Sequence, residues 1–308
     1  MDNRLLVIKN EVNKAIKGKD DVIDKVLTAI MAGGHILIDD IPGVGKTTMA
    51  LAFSKAMGLK FKRVQFTPDV LPSDITGFSM YNKDTGKLSY VQGAAACNFL
   101  LADEINRTSS KTQSALLQIM QEGRVSVDGH TYKLPEPFIV MATQNPIGAV
   151  GTQMLPEAQL DRFMIQISMG YPDSAAQVQI LKDRSTSDPL DQVRAVVNAQ
   201  DIVQMKQQAG MMYVDDKIYT YITALAEATR KHQYVKLGLS PRGAIALTDM
   251  AKADAFVKGM NFVAPENVQA VFQDVCCHRL ILQPKAQLAE TNVEKILSEI
   301  VTLVKAPK

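Results

Sequence analysis

Asp39-Asp40-Ile41-Pro42-Gly43-Val44-Gly45-Lys46-Thr47-Thr48 lies between an apolar run, His35 to Ile38, and a helix-patterned segment, Thr47 to Met57. Strand, glycine-containing loop, Lys-Thr and helix is the order a phosphate-binding loop requires. Gly43 and Gly45 allow the tight bend that turns successive N–H groups toward an anion. The cradle would comprise Pro42, Gly43, Val44, Gly45, Lys46, Thr47 and Thr48. Lys46 is expected to reach the β- and γ-phosphates of a nucleotide, and the Thr47 hydroxyl to ligate Mg²⁺. A helix starting at Thr47 adds its positive N-terminal end. The pattern G-x-x-x-x-G-K-[ST] is broken at one place, where Asp40 stands for the first glycine.

A second element completes the first. Asn98-Phe99-Leu100-Leu101-Ala102-Asp103-Glu104 is a short apolar strand ending in two adjacent carboxylates. Asp103 can hold Mg²⁺ through its water shell, and Glu104 can orient and deprotonate an attacking water. Together with the loop, this pair implies a chain that binds and hydrolyses a nucleoside triphosphate.

The bulk properties are permissive. The chain has 308 residues, enough for one large domain or two moderate ones with a real core. Lys and Arg number 34 against 32 Asp and Glu, a net charge of +2 without long single-sign runs, so nothing demands nucleic acid or an acidic membrane. Apolar stretches fall short of the roughly 18–20 residues of a membrane span. The mixed-charge start, Met1-Asp2-Asn3-Arg4, does not read as a signal peptide. Cys97, Cys276 and Cys277 lack metal-ligand spacing, and the adjacent pair reads as small apolar packing. The four histidines are scattered, so no protein-held transition metal is expected. A cytoplasmic setting is expected.

Apolar residues recur at helical spacing at Leu5, Ile8, Val12 and Ile16, ending at Gly18, and again from Asp20 to Met31. After the loop and its helix, a strand is expected around Phe61 to Phe66, then a polar, proline-bearing segment. Two hairpins follow: one around Asn82-Lys83-Asp84-Thr85-Gly86, the other around Asp128-Gly129 beyond a helix from Ser109 to Glu122. Phe138 to Thr143 and Met164 to Met169 read as further strands. Strands alternating with helices predict an α/β core with a parallel sheet. Beyond Tyr171-Pro172 only helices are expected, near 173–184, 191–209, 215–231, 241–258, 265–281 and 292–304. The domains are therefore drawn as a nucleotide core over 1–188 and an all-helical lid over 189–308.

Several stretches extend this reading. Gly-Val-Gly-Lys-Thr, Leu-Leu-Ala-Asp-Glu-Ile-Asn-Arg (100–107), Lys-Thr-Gln-Ser-Ala-Leu-Leu (111–117), Ala-Thr-Gln-Asn-Pro (142–146), Leu-Pro-Glu-Ala-Gln-Leu-Asp-Arg-Phe (155–163) and Leu-Ser-Pro-Arg (239–242) closely resemble the MoxR family of AAA+ ATPases. In that family an acidic residue at the Asp40 position is common, and hairpins occur in a helix-2 insert and before sensor 1. The resemblance implies Asn145 as sensor 1, between Glu104 and the γ-phosphate. It implies Arg162 as an arginine finger acting on a neighbouring subunit, and Arg242 as sensor 2, reaching its own subunit's phosphates. Ile16 and Gly18 would lie on the adenine side. Arg107 is left between an interface role and structural pairing. ATP and Mg²⁺ are the implied cofactors and a hexameric homo-oligomeric ring the implied assembly. Protein complexes would be the clients, with a von Willebrand factor A domain protein as a frequent partner of the family.

Two other readings stay open at this level. Related AAA+ motors translocate nucleic acid with the pre-sensor hairpin, but here no Lys or Arg lies between Val125 and Tyr132, where phosphate binding needs positive charge. An ATP-gated scaffold with little turnover would need none of Glu104, Asn145 and Arg162. A metal-inserting chelatase motor would look much the same in sequence.

Overall fold

The computed structural model describes residues 2–83, 86–145 and 155–307. Helices α1 (Asn3–Ala15) and α2 (Asp20–Met31) lead into β1 (Ile36–Asp39), the phosphate-loop segment and α3 (Lys46–Ala56). Then come β2 (Phe61–Gln65), the short α4 (Pro72–Thr76) and a hairpin of β3 (Gly77–Asn82) and β4 (Lys87–Gln92). Next are β5 (Phe99–Asp103), α5 (Ser110–Glu122), a second hairpin of β6 (Arg124–Val127) and β7 (His130–Lys133), and β8 (Ile139–Gln144). The turn residues 84–85 of the first hairpin and the glycine-containing loop 146–154 lie outside the described residues. α6 (Glu157–Leu160) and β9 (Ile165–Ile167) complete this part.

Five strands form one parallel sheet in the order β2-β5-β8-β1-β9. Its central strands are apolar on both faces because successive side chains point to opposite sides. Ile36, Ile38, Phe99, Leu101, Ile139 and Met141 face α1, α2 and α3 in a core that runs on into the C-terminal helices. Leu37, Leu100, Ala102, Val140 and Ala142 face the other way, onto Leu116, Leu117, Ile119 and Met120 of α5. Ser109 caps α5 through the Thr112 N–H at 3.3 Å, and left-handed Gly123 ends it. The second hairpin turns at Asp128-Gly129, both with positive φ, as expected of a two-residue turn. Its Tyr132 stacks on Tyr90 of the first hairpin, centroids 4.1 Å apart and planes at 12°.

The C-terminal half consists of α7 (Ser174–Thr186), α8 (Ala199–Gly210), α9 (Asp216–Lys231), β10 (Val235–Leu237), α10 (Pro241–Val257), α11 (Pro265–Cys276), β11 (Ile281–Leu282), α12 (Lys285–Leu288) and α13 (Val293–Leu303). The expectation of helices alone is corrected here, since β10 and β11 pair antiparallel. They are three and two residues long, too short for alternation to register in the sequence. The helix expected over 191–209 begins only at Ala199, where Asn198 and Asp201 form a capping box; before it the chain is a 3-10 turn and extended backbone. The helix expected over 265–281 stops at Cys276 and passes into a 3-10 turn, Cys277–Arg279. Cys276 is buried and Cys277 half-buried. Among the described residues no helix is long and apolar enough to cross a membrane.

His35 locks the start of the sheet. Its Nδ1 accepts from the Val140 N–H at 3.0 Å, and its Nε2 donates to the Met120 carbonyl at 2.9 Å. The ring must be neutral to do both, and burial pushes its pKa down to about 4. The unfolded chain therefore binds the extra proton between the ordinary value of about 6.5 and 4, so stability falls as pH drops through that window. Chemical denaturation at pH 7 and pH 4.5 should show His35 alone removing about 2–3 kcal/mol. In His35→Gln the pH slope should be shallower by that amount, and an unchanged slope would refute the assignment.

Candidate functional site: the carboxyl edge of the sheet

The loop after β1 carries Gly43 and Gly45 at φ of 86° and 98°, a region closed to most side chains. A methyl group on Gly43 would meet nothing within 4 Å, so the loop opens onto free space where an anion fits. α3 starts at Lys46 with Gly45 as its cap, and its first turn points unpaired N–H groups the same way. Lys46 is buried, and its Nζ donates to the Asp40 carbonyl at 2.6 Å. Burial lowers the Lys46 pKa, against the opposing pull of Asp40, Asp103, Asp39 and Glu104. Thr47 and Thr48 are half-buried at the same helix start, and Pro42 is exposed at the loop tip.

Asp40, the break in the loop pattern, has a structural task. Its Oδ2 accepts from the N–H groups of Met169 and Gly170, at 2.6 and 2.7 Å, and from the Ser168 hydroxyl at 2.9 Å. Its Oδ1 accepts from the Ile41 N–H at 2.8 Å. Burial alone would raise its pKa, but these donors, with Gly170 foremost, hold it below the usual carboxylate range. A glycine here would leave the loop untied from the end of β9.

β8 lies between β1 and β5, so residues at its end stand between the loop and the carboxylates. Thr143 Oγ1 donates to Asp103 Oδ1 at 2.6 Å and accepts from the Glu104 N–H at 2.9 Å. Glu104 sits at φ 58°, which turns it out of the strand line. Its Oε1 accepts from Asn145 Nδ2 at 2.9 Å and its Oε2 from Arg107 Nη1 at 2.8 Å. Arg107, then Asn145, keep this carboxyl group below its ordinary pKa. Asp103 accepts at Oδ2 from Arg63 Nη2, 2.7 Å away. Both Asp103 oxygens thus have partners, yet a carboxylate has about four acceptor positions, so the donor set of Thr47 and Asp103 suits a hydrated Mg²⁺. Asn106, buried, holds the Asn145 main chain through its carbonyl at 3.2 Å.

Beside the loop a cavity of about 480 Å³ is lined by Ile16, Gly43, Val44, Gly45 and Thr48, and by Tyr171 and Gln177 from the approach to α7 and α7 itself. Ile16 faces this cavity. Gly18 stands behind the wall, where an added methyl would come within 2.7 Å of the Ala176 Cβ. Its contribution is the close approach of the α1–α2 turn to α7.

Arg162 and Arg242 are not in this group. They line a different cavity of about 240 Å³, with Gly33, Gly34 and Asp249, at the start of β1. Arg162 Nη1 donates to the Leu117 carbonyl at 3.0 Å. Arg242, expected to reach its own subunit's phosphates, stands in this second cavity. The whole of β1, four residues rising about 3.3 Å each, separates that cavity from the phosphate loop. The first turn of α10 packs at the amino end of β1.

Sequence reasoning passed over Thr143, Asn106 and Arg63. A threonine on an otherwise apolar strand and an asparagine two residues past a carboxylate were available signals; Arg63 carried none.

A carboxylate strand separated from the loop strand by one that ends in a polar sensor is the AAA+ arrangement of a P-loop protein. Residues 35–165 match the family model described as "ATPase family associated with various cellular activities (AAA)", and residues 227–300 that of an AAA lid domain. YeaC of Bacillus subtilis is 45% identical over 96% of this chain and 92% of its own. Chaperone MoxR1 of Mycobacterium tuberculosis is 36% identical over 97% and 81%. A crystal structure from Cytophaga hutchinsonii, of a protein assigned as an ATPase, matches with a TM-score of 0.92 at 36% identity, over 99% of this chain and 96% of that one. The chain belongs to the MoxR family of AAA+ ATPases.

Asp40→Ala should cost about 2–4 kcal/mol in urea denaturation, because the Met169 and Gly170 N–H groups lose a charged acceptor. The same variant should bind a non-hydrolysable ATP analogue at least roughly tenfold more weakly, read by titration calorimetry. Unchanged affinity would mean that the loop keeps its shape unaided.

Proposed function

We propose that this protein hydrolyses ATP with Mg²⁺ inside a head-to-tail ring, hexameric as its family implies, and uses the cycle to remodel protein complexes. The observation that carries the reading is the division of charged groups between the two ends of β1. Lys46, Asp103, Glu104 and Asn145 gather at one end, Arg162 and Arg242 at the other. A single chain holds half of a phosphoryl-transfer site, and a neighbour packed head to tail would supply the rest.

Within that division each group has a task. Lys46 leaves the Asp40 carbonyl for phosphate oxygens, while the loop amides and the start of α3 bind the remainder. Thr47 and Asp103 would hold Mg²⁺, which would supply charge neutralisation at the phosphates. Arg63 shields Asp103 from the solvent side. Glu104, kept ionised by Arg107 and Asn145, takes the proton of the attacking water, and Asn145 orients both. Arg162 of the adjoining subunit stabilises the charge that develops on the transferred group. Arg242, from the same cavity, serves the same neighbour. Ile16 and the α7 face would hold the adenine ring.

Motor output is assigned to the paired hairpins, where Phe78, Met80, Tyr81 and Leu88 are exposed. Apolar exposure of this kind suits a protein client. The name of the mycobacterial relative, a chaperone, supports a remodelling role, and a von Willebrand factor A domain protein is the partner to seek.

ATP turnover per protomer, followed through a dilution series with Mg²⁺, tests the shared site. Specific activity should rise with protein concentration, Glu104→Gln should abolish turnover without loss of ATP binding, and Arg162→Ala should lower kcat by about 10³. Turnover by Arg162→Ala within threefold of the parent would overturn the shared site.

A further inference from the structure

Arg279, in the 3-10 turn after α11, has a side chain only 2% exposed. It spends all five of its N–H donors. Nε donates to Asp161 Oδ1 at 2.7 Å, and Nη2 to the carbonyls of Asp161 at 3.3 Å and Phe163 at 2.5 Å. Nη1 reaches the carbonyl of Met164 at 3.1 Å and that of Val275 in the last turn of α11. The adjacent His278 donates from Nε2 to the Phe163 carbonyl at 3.1 Å. The other Asp161 oxygen accepts from the Ser240 hydroxyl at 3.2 Å, and Ser240 also caps α10 through the Gly243 N–H at 3.0 Å.

Apart from the Val275 bond, the contacts of Arg279 and His278 fall on Asp161, Phe163 and Met164, the residues flanking Arg162. The Ser240 bond to Asp161 ties that segment to the helix start that carries Arg242, two residues beyond the cap. A buried ion pair contributes little to stability beyond what apolar packing would, because desolvation offsets its attraction. What it does impose is geometry: a planar five-donor fork accepts only one arrangement of its acceptors.

We propose that Arg279 and Asp161 are positioning residues that join the Arg162 segment to the start of α10, so that Arg162 and Arg242 reach a neighbouring subunit's nucleotide as one rigid pair. This rests on the shared-site reading above. α10 and α11 then set the arginine pair from behind, and any tilt of these helices moves both arginines together.

The test uses the full-length protein under assembling conditions. Arg279→Lys keeps the charge and removes the fork. It should lower kcat by roughly 10- to 100-fold through misplacement of Arg162, while ATP-analogue affinity changes less than about twofold. Adding Arg279→Lys to Arg162→Ala/Arg242→Ala should slow turnover no further. Mixing Arg279→Lys with Glu104→Gln protomers should restore turnover, because the second lends an intact Arg162 to the intact Glu104 of the first. A control mixture of Arg162→Ala with Glu104→Gln separates the two ideas. Failure of that control refutes the shared site. Recovery in the control, but not with Arg279→Lys, refutes the latch, as does parental kcat in Arg279→Lys. Should Arg279→Lys not fold, Ser240→Gly, which largely keeps the helix cap, should show a kcat loss of about threefold, and parental kcat there refutes the latch.

Discussion

A phosphate loop works only while its amide groups face open space, and unpaired backbone donors tend to find acceptors of their own. The loop must therefore be held in shape by something outside itself. Here that is the carboxylate of Asp40, clamped by three donors from residues 168–170 at the end of β9. β9 is a three-residue strand at the sheet edge, yet both halves of the machinery hang on it. Its carboxyl end fixes the loop, and the segment before its amino end carries Arg162 under the grip of Arg279. Its pairing with β1 keeps these two anchor points at a set distance.

The electrostatics follow the same economy. Asp39, Asp40, Asp103 and Glu104 crowd the carboxyl edge of the sheet, a poor place for a polyanion unless each charge is answered. Arg63 answers Asp103, Arg107 answers Glu104, and main-chain donors answer Asp40. Asp39, with the Gln144 and Gln166 side chains as its donors among the described residues, has its pKa raised by burial. Lys46 is left with a carbonyl as its resting partner, which is weaker than a carboxylate and more easily given up.

The sequence made legible whatever depends on neighbours in the chain. The loop, both hairpins, the doubly apolar strands and the cap of α10 are local patterns, and the structure has them within a residue or two. Relations between distant segments were hidden. His35 bridges to residues 85 and 105 positions away, and Arg279 reaches back 118 to Asp161. Neither has a spacing rule, since the fold alone makes them neighbours. Arg242 shows the limit most clearly. Its motif was plain, but the end of the sheet that it faces depends on how α10 packs against α2 and α8. β10 and β11 escaped notice because so short a pair takes its stability from the helices around it.

The stacked rings of Tyr90 and Tyr132 bear on mechanics. One hairpin precedes β5 in the chain and the other precedes β8, and Glu104 and Asn145 directly follow those strands. Because the rings lie flat on one another, the hairpins would share load like two tines on one root. Traction on either would be transmitted along both strands, in the direction where extended backbone is stiffest. Strain applied at the hairpins would then arrive at Glu104 and Asn145 in step.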